Sequence, residues 1–142
     1  MKHKKYIITQ SEFKSREYTV EGDFSNAAFF LVAGAIGDPV KVLGLSEHSL
    51  QGDKEILKIL KNVGARIEVD QQGITVRAHS LKSIVIDARN IPDLVPILAV
   101  LCCFCEGESK IINAGRLRLK ESDRLAAIKM ELNKLRSKNR RR

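Results

Sequence analysis

Residues Gly22–Leu45 read GDFSNAAFFLVAGAIGDPVKVLGL, and their reading decides the fold. Asp23 or Ser25 is a helix N-cap, an Ala-rich apolar body follows, and Gly37 stops the helix. An apolar body of this kind predicts a helix that is largely buried. Val40 to Leu45, VKVLGL, then predicts a strand. A buried helix joined closely to a strand places the chain in the α/β class.

Working outward, Gln51, Gly52 and Asp53 lead into KEILKILKNVGA, where Ile56, Leu57, Ile59, Leu60 and Val63 recur at helical spacing and Gly64 marks the end. ARIEVD and ITVRAH flank Gln71, Gln72 and Gly73 and predict a hairpin with a Gly-containing turn. Upstream, Tyr18 to Glu21 reads as a strand and Tyr6 to Thr9 as a possible one. The order is βαβαββ.

After SIVIDAR the order begins again. Asn90, Ile91, Pro92 and Asp93 open the apolar helix LVPILAVLCCFCEG, KIINAG makes a strand, and ESDRLAAIKMELNKL makes an amphipathic helix from Leu125, Ile128, Leu132 and Leu135. An acidic residue precedes each apolar helix (Asp23, Asp93), a Gly closes each following strand (Gly44, Gly115), and an acidic residue opens each amphipathic helix (Asp53, Asp123). The expected organisation is a lead-in over 1–17, a first unit over 18–80, a second over 81–135 that lacks the closing hairpin, and a disordered basic tail over 136–142. A sheet edge or an apolar face should then be exposed on the C-terminal side.

The formal charge of +8 invites a nucleic-acid reading, but its location argues against one. Lys2, Lys4 and Lys5, with Arg136, Lys138, Arg140, Arg141 and Arg142, account for the whole excess, so Tyr6 to Leu135 is neutral on balance. No nucleic-acid partner is expected. Cys102, Cys103 and Cys105 fall as CCFC in an apolar run with no His nearby, which predicts core packing in a reducing compartment and no metal. The run from Ile91 to Cys105 is shorter than the roughly 20 residues of a spanning helix, and MKHKKYIITQ lacks the apolar stretch of a secretory signal. A cytoplasmic protein without a membrane partner is expected.

Charge inside the chain concentrates in RLRLKESDRL, Arg116 to Leu125. If the helix starts near Glu121 or Ser122, Lys120 and Arg124 sit about one turn apart at its N-terminal end, where the helix dipole disfavours cations. Two readings stand. An anionic ligand such as phosphate or carboxylate gives both cations a reason to be there; equally, they pair with Glu121 and Asp123 on the surface. Asp93, beside Pro92 at a helix start, is a first-turn carboxylate or a partly desolvated general base. The loops leading into consecutive helices of parallel αβ units often share one side of a sheet, so Asp93 and Lys120 to Arg124 are expected to share a cleft. His3, His48 and His79 pair with no nucleophile, and there is no glycine-rich nucleotide loop, so triad hydrolase, zinc enzyme and P-loop readings fall away.

VEGDFSNAAFFLVAGAI, LQGDKEILKILKNVGARI, ARNIPDLVPILAVLC and RLRLKESDRLAAIKMELNKL occur in the order seen in the 5-enolpyruvylshikimate-3-phosphate synthase family. The chain resembles a stretch from the latter part of that enzyme over Tyr6 to Leu135. The resemblance implies the enolpyruvyl transferase fold, an inside-out α/β barrel of βαβαββ units. It implies transfer of the enolpyruvyl group of phosphoenolpyruvate to the 5-hydroxyl of shikimate 3-phosphate, in aromatic amino-acid biosynthesis, with no metal or organic cofactor. Residue by residue, Asp93 resembles a carboxylate that contacts the shikimate hydroxyl as a base. Lys120 resembles a lysine that contacts the shikimate phosphate and takes part in proton transfer. Glu121 resembles a carboxylate near the reacting enolpyruvyl carbon, and Arg124 an arginine that grips phosphoenolpyruvate. Arg116 lies close enough to add to anion binding.

Other residues of the family's site lie outside this chain, so the missing remainder of the enzyme is an implied partner and the chain alone is expected to be inactive. The related transferase acting on UDP-N-acetylglucosamine shares the architecture, but the KESDR block argues against it. A noncatalytic module with a basic, nucleic-acid-binding tail is the alternative of another class.

Overall fold

The computed structural model describes residues 5–139. The apolar helix α1, Phe24–Ile36, is capped by the Asp23 carboxylate, which accepts from the backbone N–H groups of Ser25 and Asn26. Phe24, Ala28, Leu31, Val32 and Ala35 are buried, whereas Phe29 and Phe30 stand out at 48% and 61% exposure. The helix is therefore not covered all round as its composition predicts. Strand β1, Val40–Leu43, follows and ends at Gly44. Gly34 lets α1 lie directly on the sheet, since a Cβ there would meet the Val76 carbonyl oxygen at 2.8 Å.

Helix α2, Glu55–Val63, is entered through a 3-10 turn at Gly52–Lys54 and buries Ile56, Ile59, Leu60 and Val63. Gly64 ends it in the left-handed region at φ 108°, bonding back to the Leu60 and Lys61 carbonyls. Strands β2, Arg66–Val69, and β3, Gly73–Arg77, form the hairpin, and β3 lies between β2 and β1, antiparallel to both. The turn is tighter than the sequence implies: the Asp70 carboxylate accepts from Gln72 N and Gly73 N, so Gly73 is already in the strand, opposite Leu43.

A second, parallel sheet joins β4, Val85–Asp87, to β5, Lys110–Ile112, with helix α3, Val95–Cys103, as the crossover. Pro92 opens a 3-10 turn, Pro92–Leu94, that runs into α3. After β5, Asn113 takes a positive φ of 59° and turns the chain into a 3-10 segment, Gly115–Leu119. Helix α4, Arg124–Asn139, closes the described chain.

One core joins α1, α2, α3 and the two sheets through Leu31, Leu60, Ile74, Ile86, Leu94 and Leu98. A smaller cluster of Ala88, Val95 and Leu117, with Leu125 and Ile128 against it, seats α4 on the start of α3. Each such Leu contributes about 1.5–3 kcal/mol by leaving water.

Four expectations need correction. Tyr6–Thr9 and Tyr18–Glu21 form no strand: Tyr18 and Val20 are 78% and 82% exposed, and the one ladder-like bond to the neighbouring β1 end is Gly22 N to the Gly44 carbonyl. The predicted strand has apolar residues that no described part of the chain buries. α4 starts at Arg124 instead of Glu121 or Ser122, because Asp123 is the cap: its carboxylate accepts from Ala126 N and its carbonyl from Ala127 N. The tail predicted to be disordered from 136 continues the helix to Asn139, as Arg and Lys are good helix formers; 140–142 lie outside the described residues, as do 1–4. Cys103 is exposed, while Cys102 and Cys105 pack half-buried against the core. No described helix is long and apolar enough to cross a membrane.

Candidate active site

Asp93 owes its place to Pro92. The 3-10 turn buries Leu94 and turns the Asp93 side chain outward, ahead of α3. Across from it, Leu117 pegs the Gly115–Leu119 segment into the small cluster, and Lys120 leaves that segment in an extended conformation. Arg124 is the first residue of α4. Leu117, Leu125 and Ile128 thus bring the charged junction against the start of α3.

The result is one ion-pair cluster. Asp93 Oδ1 accepts from Arg124 Nη1 at 2.9 Å and from Lys120 Nζ at 3.3 Å. Arg124 Nε also donates to Glu121 Oε1 at 3.0 Å, and Nη2 donates to the same oxygen. Arg124 therefore bridges two carboxylates, and Asp93 receives two cations. Arg118 is drawn aside to Asp123 at 2.8 Å, where it supports the cap instead of the cluster. Of the surface-pairing reading of RLRLKESDRL one half holds, since Arg124 pairs with Glu121, whereas Lys120 pairs across the fold with Asp93 instead of with Glu121 or Asp123.

These contacts set the protonation states. Burial pushes the Asp93 carboxyl up, but Lys120 and Arg124 outweigh it and hold the group below the ordinary carboxylate range. Glu121 is held low chiefly by its hydrogen bond from Arg124. Both are ionised at neutral pH in this arrangement, so Asp93 is a weak base and Glu121 is not yet an acid.

Beside the cluster is a cleft of about 510 Å³. Ser25, Gln51, Gly52 and Asp53 form one wall; Arg89, Asn90, Pro92, Asp93 and Arg116 form the other. Arg116 has no ion-pair partner among the described residues and lines the cleft together with the Asp53 and Asp93 carboxylates. Gln51 holds the first wall together, accepting from Phe24 N and donating to the Gly22 carbonyl, each at 2.8 Å. The Ser25 hydroxyl donates to Asp53. An adjoining hollow of about 340 Å³ shares Gly52, Arg89 and Asn90 and extends to Glu55 and Asp87.

Four of the expected residues, Asp93, Lys120, Glu121 and Arg124, come together directly; Arg116 joins through the shared cleft. Ser25, Gln51, Asp53, Arg89 and Asn90 were missed. The signal for part of that wall was present: Asp53 stands in the repeat where Asp123 does, at the entry to an amphipathic helix. No group of His, Cys, Asp and Glu among the described residues could hold a metal ion.

A family description, EPSP synthase (3-phosphoshikimate 1-carboxyvinyltransferase), matches residues 2–141. The 3-phosphoshikimate 1-carboxyvinyltransferase of Clostridium novyi is 51% identical over 134 residues, which are 94% of this chain and 31% of that protein. That of Clostridioides difficile is 46% identical over the same shares. The chain spans about a third of the length of these curated relatives. Among solved structures, EPSP synthase from Acinetobacter baumannii superimposes with a TM-score of 0.67 at 27% identity, over 77% of this chain and 27% of that one. The enolpyruvyl transferase NikO from Streptomyces tendae, with a TM-score of 0.52 at 20% identity over 66% of this chain and 23% of that one, shares the fold. With the ordered sequence blocks, the mixed α/β fold and this family match over nearly its whole length, the chain belongs to the EPSP synthase (3-phosphoshikimate 1-carboxyvinyltransferase) family.

Proposed function

We propose that this chain carries part of the active site for transfer of the enolpyruvyl group from phosphoenolpyruvate to the 5-hydroxyl of shikimate 3-phosphate, with phosphate released, and that alone it does not turn over. The observation that carries this reading is the convergence of Asp93, Lys120, Glu121 and Arg124 from two helix entries into one cluster. Adding an alcohol across an enol phosphate requires a base for the hydroxyl and an acid for the methylene carbon; expelling phosphate from the adduct then requires the new methyl group to give a proton back, and two phosphates and a carboxylate require cations. Asp93 takes the hydroxyl proton, Glu121 serves the methylene carbon, and Lys120, Arg124 and Arg116 hold the anions.

The ion pairs supply an order of events. While Arg124 and Lys120 hold Asp93, its basicity is suppressed. Substrate phosphate and carboxylate compete for those cations, and each cation drawn away raises the pKa of the carboxylate it leaves. Anion binding thereby makes Asp93 the better base, while Glu121, exposed and released toward the ordinary carboxylate range, must still take up a proton before it serves as the acid.

The exposed Phe29 and Phe30 of α1, and Met130 and Leu135 of α4, support a chain that packs against the remainder of a longer enzyme. The division at 80 and 81 is supported by a sheet on each side of it. We place the protein in the cytoplasm.

The test grafts residues 5–139 into the matching third of the Clostridium novyi relative and measures phosphate release from the two substrates. Asp93→Asn and Arg124→Gln should each lower kcat/KM by about 10²–10⁴. Near-native activity in both variants would refute the roles. Enzyme-like turnover by the chain alone would refute its dependence on the remainder.

A further inference from the structure

Away from the cleft, at the far end of α3, lies a chemically distinct group. CCFC contains a Cys-x-x-Cys pair, Cys102 in the last turn of the helix and Cys105 two residues beyond its end. The backbone closes there with Cys105 N donating to the Cys102 carbonyl at 3.4 Å, a four-residue turn. Such a turn keeps its outer Cα atoms within about 7 Å, a span that overlaps the usual range for a disulfide. The Cys105 thiol turns back to the Leu101 carbonyl at 3.4 Å, next to Cys102, and both cysteines pack against the core, whereas Cys103 is exposed. Its thiol contacts the Ala99 carbonyl at 3.3 Å and its surface is exposed, while Cys102 and Cys105 are half-buried on the core side.

Two further contacts keep the pair together. The Ser109 side chain neighbours both Cys102 and Cys105 and is itself fixed, accepting from Ile84 N at 3.2 Å. The chain just after Cys105 is tied to the segment before β4, with Glu106 N donating to the Leu81 carbonyl at 2.8 Å and Ser83 N to the Glu106 carbonyl at 2.9 Å. The turn cannot swing open to separate the sulfurs without breaking those bonds.

We propose that Cys102 and Cys105 are a modification site, a dithiol that closes to an intramolecular disulfide on reaction with a small-molecule disulfide such as glutathione disulfide. The more exposed of the two, as thiolate, attacks one sulfur of glutathione disulfide and expels one glutathione thiolate. The second protein thiolate then attacks the mixed disulfide at the protein sulfur and expels the other. Two cysteine thiols are oxidised, one glutathione disulfide is reduced to two glutathiones, and each departing thiolate takes up a proton lost by a cysteine. Burial pushes the thiols of Cys102 and Cys105 up, so the reaction is slow at neutral pH and accelerates as the pH rises. The bond would clamp the C-terminal turn of α3 and leave Asp93, at the other end, in place.

The experiment treats the chain with glutathione disulfide at mildly alkaline pH, blocks remaining thiols with N-ethylmaleimide, and reads the intact mass and the fragmentation of the peptide holding all three cysteines. In the expected product Cys102 and Cys105 are joined with the loss of two hydrogens, and the exposed Cys103 carries either a maleimide or one glutathione. Cys103→Ser should still close and carry neither, whereas Cys102→Ser and Cys105→Ser should stop at glutathione adducts. Three maleimides after oxidation, an intramolecular disulfide that includes Cys103, or a stable glutathione adduct on Cys102 or Cys105 of the parent chain in place of closure would overturn the assignment. Circular dichroism of each variant confirms that it is folded.

Discussion

Leu117→Ala tests the construction of the site most directly. Leu117 is fully buried, in a cluster whose other buried members are only Ala88 and Val95. Truncation removes three carbons, about 2.4 kcal/mol at 0.8 kcal/mol per methylene. The wall around it is half mobile in the relevant sense: Ile111, Ala114, Leu125 and Ile128 are only partly buried and can settle inward. The cavity penalty should therefore be small, and the total about 2–3 kcal/mol. Leu98→Ala in the main core, where the surroundings are buried on every side, should cost about 3–5 kcal/mol. Urea unfolding of the two variants gives the comparison.

The same substitution carries a second, functional reading. Without its peg the Gly115–Leu119 segment loses its fixed seat, and Lys120 and Arg124 lose their registration with Asp93. The Asp93 carboxyl should then titrate closer to its ordinary value, followed by carboxyl-carbon NMR. In Leu98→Ala that titration should stay where it is in the parent chain. Equal costs at the two sites, or an Asp93 titration that Leu117→Ala leaves unmoved, would refute the claim that Leu117 positions the cluster.

Other expectations are more local. Gly64→Ala should destabilise by about 1–2 kcal/mol from its left-handed backbone alone, with more added because the new methyl meets the Ser80 carbonyl oxygen at 2.6 Å; thermal unfolding measures it. Asp23→Ala removes the α1 cap and should cost about 1 kcal/mol by urea titration. Because the folded pKa of Asp93 is lowered from 3.8, its ion pairs stabilise fully above that value, and the contribution disappears as pH falls through the lower folded pKa. An acid titration that leaves stability flat between pH 5 and the acid limit, in the parent chain but not in Asp93→Asn, would contradict that sign.

Helices and the hairpin were legible because each carries its own local signal. Asp23 and Gly37 bracket α1, Gly64 ends α2, and the apolar residues of α2 mark its inner face. Strands near the N-terminus were misread for the opposite reason. Tyr18 and Val20 have strand composition, yet a strand exists only through a neighbour, and composition says nothing of whether one is present. The start of α4 was misplaced because Glu121, Ser122 and Asp123 are all competent near a helix start; only the bond from Ala126 N singles out Asp123. In the site, Asp93 and KESDR were visible as charge at helix entries. Ser25, Gln51 and Asp53 were not, because a serine, a glutamine and an aspartate in a polar loop look ordinary until folding sets them across from Arg116.

The charge count within the cluster constrains how such a site can work. Asp93 and Glu121 balance Lys120 and Arg124, so the cluster is neutral and internally satisfied, and it offers little long-range attraction of its own. Arg116 has no ion-pair partner among the described residues, and on the other wall of the cleft the Asp53 carboxylate accepts from the Ser25 hydroxyl without a cation beside it. Under the proposed roles, an anion held at Arg116 reaches the paired cations next, at the cost of exchanging partners. Because these pairs are exposed enough for water to screen them, that exchange is cheap. A cluster buried deeply enough to make Asp93 a strong base at rest would hold its cations too tightly to surrender them. Partial exposure is thus the property the proposed roles require of this cluster: cations that can be drawn to an anion, and a carboxylate that becomes more basic when they leave.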